Sequence, residues 1–312
     1  MLSHVGIQQK SQYNFGLTLV LFATIAWASA GLFVKLLPFD IWSIIVWRNL
    51  FAVFFVGSFV FWRFGWHTFK AIQNLGLPGC IATICSTATI ILFPAAFQHT
   101  SVGNVVTIYA SLPFVTAAIA WLWLKEWPSV PTLLAGGVAL AGIAIMVGPT
   151  TEGPNLGDAL SLLSTISMAI LTLIVRRHSH IEMLPVALLS IVVSGLIALP
   201  LASQLNEFGG RDLAITAGFA FVPLTLGLML YVMGSALIPS TLAALIQTLE
   251  APFGMFWAWV GLGEVPPVET MAGASIVLAG VFGRLLYEWL ISSSRARNNV
   301  SPSVLERGPE KQ

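Results

Sequence analysis

The sequence predicts an all-α integral membrane protein with ten transmembrane helices in two inverted five-helix repeats and both termini cytoplasmic. Three observations predict it. First, hydrophobic residues make up 57% of the 312 and charged residues 9%, where a soluble chain carries about 25% charge; so apolar a chain needs lipid as its solvent. Second, ten apolar stretches each approach the ~20 residues that cross a hydrocarbon core. Third, the chain repeats itself. Residues 120–142 return as 258–280 with ten of 23 positions identical, and residues 16–35 return as 157–176 with eight of 20 identical. The offsets, 138 and 141, differ by three residues, so one unit of half the length is duplicated. A unit with an odd number of spans must enter the bilayer the second time in the opposite sense.

In chain order the spans cover 15–36, 41–62, 75–97, 102–124, 131–148, 157–176, 184–203, 213–236, 240–261 and 269–291. The first is too long for a signal-peptide core and lacks a cleavage site, so it is expected to be retained. Breakers punctuate the short connections: Pro38, Pro78, Pro128, Pro131, Gly153-Pro154, Pro239 and Pro266-Pro267. The expected organisation is a cytoplasmic tail (1–13), a first repeat (14–150), a second repeat (151–291) and a second cytoplasmic tail (292–312), both tails polar and disordered. Positive charge sets the orientation. With the amino terminus inside, ten basic residues (Lys10, Arg63, Lys70, Lys125, Arg176, Arg177, Arg295, Arg297, Arg307 and Lys311) are cytoplasmic. Only Lys35, Arg48 and Arg211 approach the outer face, and Arg284 stays in the last helix. The two cysteines, Cys80 and Cys85, fit neither a disulfide framework nor a zinc site and read as buried inert thiols.

The fourth and fifth spans of each repeat are joined by L-x-E-x-P-x-V-x-T, at 124–132 and 262–270. Ten helices with this motif twice resemble the drug/metabolite transporter superfamily, in its EamA-like ten-helix branch, and are most similar there to bacterial aromatic amino-acid exporters. The resemblance covers nearly the whole chain. It implies that spans 1–4 and 6–9 surround a central cavity, that spans 5 and 10 stand apart, and that the protein lies in a bacterial inner membrane. The residues agree in part. Ala135 and Gly142, like Gly273 and Gly280, put small side chains seven apart on one helix face, where another backbone can approach. Glu126 and Glu264 precede the amino ends of spans 5 and 10, where a carboxylate favours the helix dipole. A structural role explains them fully; a gate contact is the alternative.

Polar groups at membrane depth mark the candidate site. In span 9, Ser240, Ala243, Gln247, Glu250, Gly254 and Trp257 share one face. A carboxylate at mid-span costs about 2.5–3.5 kcal/mol on the insertion scale, so Glu250 is expected to face protein or water. It either couples protons to export, holds a substrate ammonium, or stabilises the bundle as a hydrogen-bonded acid. The equivalent face of span 4, by the 138-residue offset, is Val102, Val105, Tyr109, Leu112 and Thr116. Pro94, Pro113, Pro223 and Pro252 interrupt spans 3, 4, 8 and 9 and are candidate hinge or gate residues, though membrane helices also tolerate proline in packing. Arg48 is expected to snorkel outward from span 2, with the outer mouth of the cavity as the alternative. Gln98, His99 and Asn104 read as a solvated outer loop.

No Lys or Arg is expected near the middle of a cavity helix, which argues against phosphorylated substrates. The candidate substrate-binding residues are Trp27, Thr83, Ser86, Tyr109, Tyr231, Gln247, Glu250 and Trp257, with Ser235 beside them. That lining suits a neutral or zwitterionic solute with apolar bulk, such as an aromatic amino acid, and suits a hydrophobic drug nearly as well. Alternating access is the expected mechanism; a channel would carry rings of charge, and no such ring is visible. No H-E-x-x-H, G-x-S-x-G, intramembrane Asp pair or P-loop occurs, so neither an enzyme nor a nucleotide-driven pump is expected. No metal or cofactor is expected. The expected partners are the solute and the bilayer, with no nucleic acid, and a monomer as the working unit.

Overall fold

A computed structural model of the chain describes residues 2–65, 75–100, 102–125, 155–178, 183–238 and 246–263, with isolated residues between and beyond them. Among the described residues every regular element is helical. The α-helices are α1 (Leu2–Ala28), α2 (Ala30–Leu36), α3 (Ile41–Phe64), α4 (Gly76–His99), α5 (Val102–Ala110), α6 (Leu112–Leu124), α7 (Leu156–Arg177), α8 (Met183–Ala198), α9 (Gly210–Phe219), α10 (Gly227–Ser235) and α11 (Glu250–Leu262). A π-helical turn, Ala220–Leu226, joins α9 to α10 without a break. Six helical stretches are long and apolar enough to cross a membrane, from Gln12–Leu36 to Gly210–Ser235. They coincide with predicted spans 1, 2, 3, 6, 7 and 8. Spans 4 and 9 are each interrupted; Ser240 and, apart from isolated residues, spans 5 and 10, with Glu126, Glu264, Ala135, Gly142, Gly273 and Gly280, lie outside the described residues.

Local chemistry sets the helix ends. Asp40 caps α3 by accepting from the Ser43 backbone N–H at 2.9 Å and the Ser43 hydroxyl at 2.7 Å. Asn155 and Asp158 form a reciprocal capping box on α7, satisfying donors that the first turn leaves without intrahelical partners. Lys125 ends α6 at φ 57° and Gly263 ends α11 at φ 71°. These two are equivalent by the 138-residue offset, so both copies of the motif leave their helix through the same left-handed residue.

Polarity is distributed inside out. Thr24, Ser43, Ser161, Ser164, Thr165, Ser190, Ser194 and Thr216 are fully buried, while Phe54, Trp62, Ile84 and Leu122 are exposed by 63% or more. In water so many large exposed apolar side chains would form a docking or aggregation surface; in lipid they are the solvated surface. Small hydroxyls inside are what helix association uses when lipid is as apolar as leucine.

The described helices close into a ring. α1 packs on α10; the π turn and α9 on α3; α3 on α8; α8 on α4; α4 on α7; α7 on α5 and α6; α5 on α11; and α11 on α1 and α2. Numbered as spans, the order is 1-8-2-7-3-6-4-9. Adding or subtracting five returns the same ring, and each neighbour comes from the other half of the chain. Two crossings place a glycine at matching points. A side chain on Gly16 would meet Leu237 Cβ at 2.7 Å and Ile238 Cγ2 at 2.9 Å; one on Gly157 would meet Thr100 Cβ at 2.6 Å and the His99 carbonyl carbon at 2.9 Å. Gly16 and Gly157 are 141 residues apart, and their partners are 138 apart.

Four expectations need correction. Residues 2–13, expected as a disordered tail, continue helix α1, because nothing between them and the span breaks it. Cys85 is buried but Cys80 is exposed, on the outward side of α4. Arg48 does not snorkel outward; it is 2% exposed and turned into the bundle. The prolines do not act alike. Pro94 sits buried inside a continuous α4, and Pro223 lies within the π turn. Pro113 and Pro252 fall in the first turns of α6 and α11, where a missing N–H removes no intrahelical bond.

Candidate functional site

Three helix interruptions share one geometry. Ser29, Ser111 and Leu249 have (φ, ψ) of (−74°, −10°), (−71°, −6°) and (−70°, −9°). Each N–H turns back to the residue three before it: Ser29 to Ala26, Ser111 to Ile108 and Leu249 to Ile246. The Ser29 and Ser111 hydroxyls each donate to that same carbonyl at 2.6 Å. Ser111 and Leu249 are equivalent by the 138-residue offset, so spans 4 and 9 are broken at matching points. A 3₁₀-type step of this kind deprives the carbonyl four residues back of its donor. Ile25 is such a case, and the Trp257 indole N–H donates to its carbonyl at 3.1 Å, tying α11 to α1.

The predicted residues of spans 1, 4, 8 and 9 gather beside these breaks. The Trp27 and Tyr231 rings lie 5.0 Å apart. Trp27 fits there because Gly227, one turn before Tyr231, has no side chain; a Cβ would stand 2.6 Å from the indole nitrogen. The Gln247 side chain lies within hydrogen-bonding reach of the Tyr231 hydroxyl. Tyr109 packs on Phe93 with ring centroids 4.8 Å apart, and Glu250 and Tyr231 lie within electrostatic reach of it. Trp27, Tyr109, Tyr231, Gln247, Glu250 and Trp257 are all half-buried, whereas Leu249 and Ala251 beside Glu250 are buried. Six polar or aromatic side chains that keep accessible surface at mid-bundle form a surface suited to a small amphipathic solute.

Thr83 and Ser86 do not join this group. The Thr83 hydroxyl donates to the Gly79 carbonyl at 2.9 Å, and the Ser190 hydroxyl approaches the Thr83 carbonyl at 3.3 Å; Thr83 thus belongs to the α4–α8 contact. Ser86 is half-buried on α4, two turns before Phe93. Ser235, at the end of α10, is half-buried too.

Sequence reasoning missed a second polar cluster. The Arg48 Nε and Nη2 donate to Asn49 Oδ1 at 3.1 and 3.0 Å, and Nη2 donates to the Ile90 carbonyl at 3.1 Å. Its guanidinium carbon lies 5.1 Å from the centre of the Phe219 ring. Pro94 explains the Ile90 contact: having no N–H, it leaves the carbonyl four residues back without a helical donor. The adjacency of Pro94 in span 3 and an arginine in span 2 was the available signal.

Towards the end where α2 meets α4, Asp40 organises the entry to α3. Burial pushes its carboxyl up, but hydrogen bonds from Ser43 and Ser203 outweigh burial and hold it below the ordinary carboxylate value. The Gln204 side chain accepts from the Asp40 N–H at 2.6 Å. Gln98 donates to the Phe39 carbonyl at 2.8 Å, and Asn104 to Thr100 at 3.1 Å, so these residues brace the link and are not simply solvated. A cleft of about 350 Å³ opens there, lined by Lys35, Pro38, Gln98 and His99 among others. It lies apart from the central cluster and contains none of its residues.

Known proteins share this sequence and shape. The pattern of the EamA-like transporter family matches residues 14–148 and again 155–286. A mouse protein named solute carrier family 35 member G1 is 24% identical over 236 residues, 67% of this chain and 62% of that protein; the match spans less than two thirds of the relative's length. A solved crystal structure aligns with 94% of this chain and 99% of its own, with a TM-score of 0.65 at 12% identity, a likeness of fold alone.

Proposed function

The chain belongs to the EamA-like transporter family, a multi-pass membrane transporter of small solutes, and from that premise we propose that it exports neutral or zwitterionic metabolites, aromatic and other amino acids among them. The proposed mechanism is alternating access: two inverted five-helix halves rock about a solute held between them. The proposed setting is the inner membrane of a bacterium, with the single chain as the unit. The observation that carries this reading is the ring itself. Neighbours alternate between the two halves of the chain, so a relative motion of the halves alters every contact around the centre. The matching breaks at Ser111 and Leu249 are proposed as the points where spans 4 and 9 bend.

Trp27, Tyr109, Tyr231 and Trp257 are proposed to hold the apolar part of the solute. Glu250 is proposed to meet its ammonium group, because a carboxylate at this depth needs a counter-charge or a proton. The aromatic lining also favours a second reading, efflux of hydrophobic drugs through the same site. Reconstitution separates them. Liposomes bearing the purified protein are expected to exchange labelled L-phenylalanine, with unlabelled amino acids competing better than hydrophobic cations. Glu250→Gln is expected to lower that exchange at least about ten-fold, the scale of a charge-assisted contact. Competition by drugs alone would replace the amino-acid reading with the drug reading, and unchanged exchange in Glu250→Gln would remove Glu250 from the site.

A further inference from the structure

We infer that Arg48 is the group that recognises the carboxylate of the solute; this deepens the proposed function and rests on it. Arg48 stands seven residues into α3, about 10 Å along the helix from its start, and is 2% exposed. Among the described residues no carboxylate pairs with it. Its partners among the described residues are all neutral: Asn49 Oδ1, the Ile90 carbonyl and the face of Phe219. A guanidinium has five N–H donors, and these contacts engage three of them; among the described residues none engages the two on Nη1. A buried cation without a counter-charge is costly, and an arriving carboxylate would supply the charge that the protein withholds. Carboxylate also displaces neutral acceptors readily, since two parallel charge-assisted bonds to a guanidinium edge are stronger than bonds to an amide oxygen.

The group is held in place by other residues. Asn49 is fixed by donating to the Ile191 carbonyl at 3.1 Å and to the Ser194 hydroxyl at 2.7 Å, with Gly195 leaving room beside it. Phe219 is stacked in turn on Phe33, 5.7 Å away with ring planes 3° apart, so one face of the guanidinium is covered and its edge remains for a ligand. Pro94 supplies the Ile90 carbonyl as a parking acceptor. A neutral side chain could occupy that carbonyl as well, so capping it does not account for the charge. The cluster adjoins the central residues: Phe93, one turn after Ile90, carries the ring that packs on Tyr109. Glu250 lies within electrostatic reach of Tyr109, and no ion pair joins it to Arg48 among the described residues. Opposite charges kept apart in one interior can address the two poles of a zwitterion in succession as the solute moves. Arg48 gives this interior a basic group, where the sequence expectation turned it outward.

The test uses acid–amide pairs on the full-length protein purified in detergent: L-phenylalanine with L-phenylalaninamide, and hydrocinnamate with hydrocinnamamide. Ligand-induced thermal stabilisation is titrated for the wild type, Arg48→Gln and Arg48→Lys. The wild type is expected to bind the acid of at least one pair about ten-fold or more better than its amide, as polar recognition requires. Arg48→Gln is expected to abolish that preference while leaving amide affinity unchanged, and Arg48→Lys to reduce it. An acid no better than its amide in the wild type, absence of binding by all four compounds, or an undiminished preference in Arg48→Gln would each overturn the assignment. Equal loss of acid and amide binding would assign Arg48 a structural role instead. Should Arg48→Gln not fold, Arg48→Lys decides: an unchanged acid–amide ratio overturns the proposal. Liposome uptake separates the two levels. Acids that bind but are not carried would remove the transport reading and leave Arg48 a carboxylate site; acids and amides carried alike would do the reverse.

Discussion

Lys125 carries a side chain where its counterpart in the other copy, Gly263, has none, and both adopt the left-handed conformation. A Cβ in that region costs about 1 kcal/mol. Lys125→Gly is therefore expected to stabilise the protein by about that amount, read as a higher melting temperature in detergent; a lower one would mean that contacts of the Lys125 side chain outweigh the strain. Asp40 gives a pH-dependent case. Its folded-state value lies below the ordinary 3.8, so its contribution is complete above 3.8 and lost as pH falls through the folded value. Asp40→Asn, which retains a capping oxygen, is expected to melt below the wild type at pH 7, and the gap should close as pH drops below 3.8. A constant gap would assign the effect to shape rather than charge. At this scale the sequence was informative about depth but blind to direction. Trp27, Tyr109, Tyr231, Gln247 and Glu250 were legible because polar and aromatic groups at mid-span stand out. Arg48 was not, since a long flexible side chain can reach outward or inward from the same Cα.

Helix interruptions were read from prolines, and that rule was only partly sufficient. Ser29 and Leu249 break their helices without being proline, while Pro94 lies in an unbroken one. Whether or not the helix breaks, the carbonyl that loses its helical donor needs another partner. The Ile25 carbonyl finds Trp257, and the Ile90 carbonyl finds Arg48, each from a helix distant in sequence. Trp257→Phe keeps the ring volume roughly and removes the donor. Leaving a buried carbonyl unsatisfied costs about 1–3 kcal/mol; this contact is part-buried, so the variant is expected to lose stability up to that range. Full retention of the melting temperature would mean that another donor or water replaces the indole.

For the whole molecule, antiparallel halves put equivalent positions on opposite faces of the bilayer. In a Cys80→Ser, Cys85→Ser background, needed because Cys80 is exposed, single cysteines at positions 35 and 176 are expected to react with impermeant reagent from opposite faces of the bilayer. Reaction from one face would mean that the halves are parallel, and the alternating-access proposal would fail with them. The same architecture accounts for Gly16 and Gly157, which meet equivalent partners in two different crossings.

By itself the sequence determined that this chain needs lipid, where six of its membrane-spanning helices run, and that one unit occurs twice. Those properties add up along the chain: transfer free energy accumulates residue by residue over a span, and identity at a fixed offset survives without reference to neighbours. Only the tertiary structure decided which helices touch, that spans 4 and 9 break at matching points, that Thr83 serves packing, and that Arg48 turns inward onto a carbonyl stranded by Pro94. Those properties depend on the rotation of each helix about its axis and on partners up to 232 residues away, and packing settles them collectively rather than at any one position.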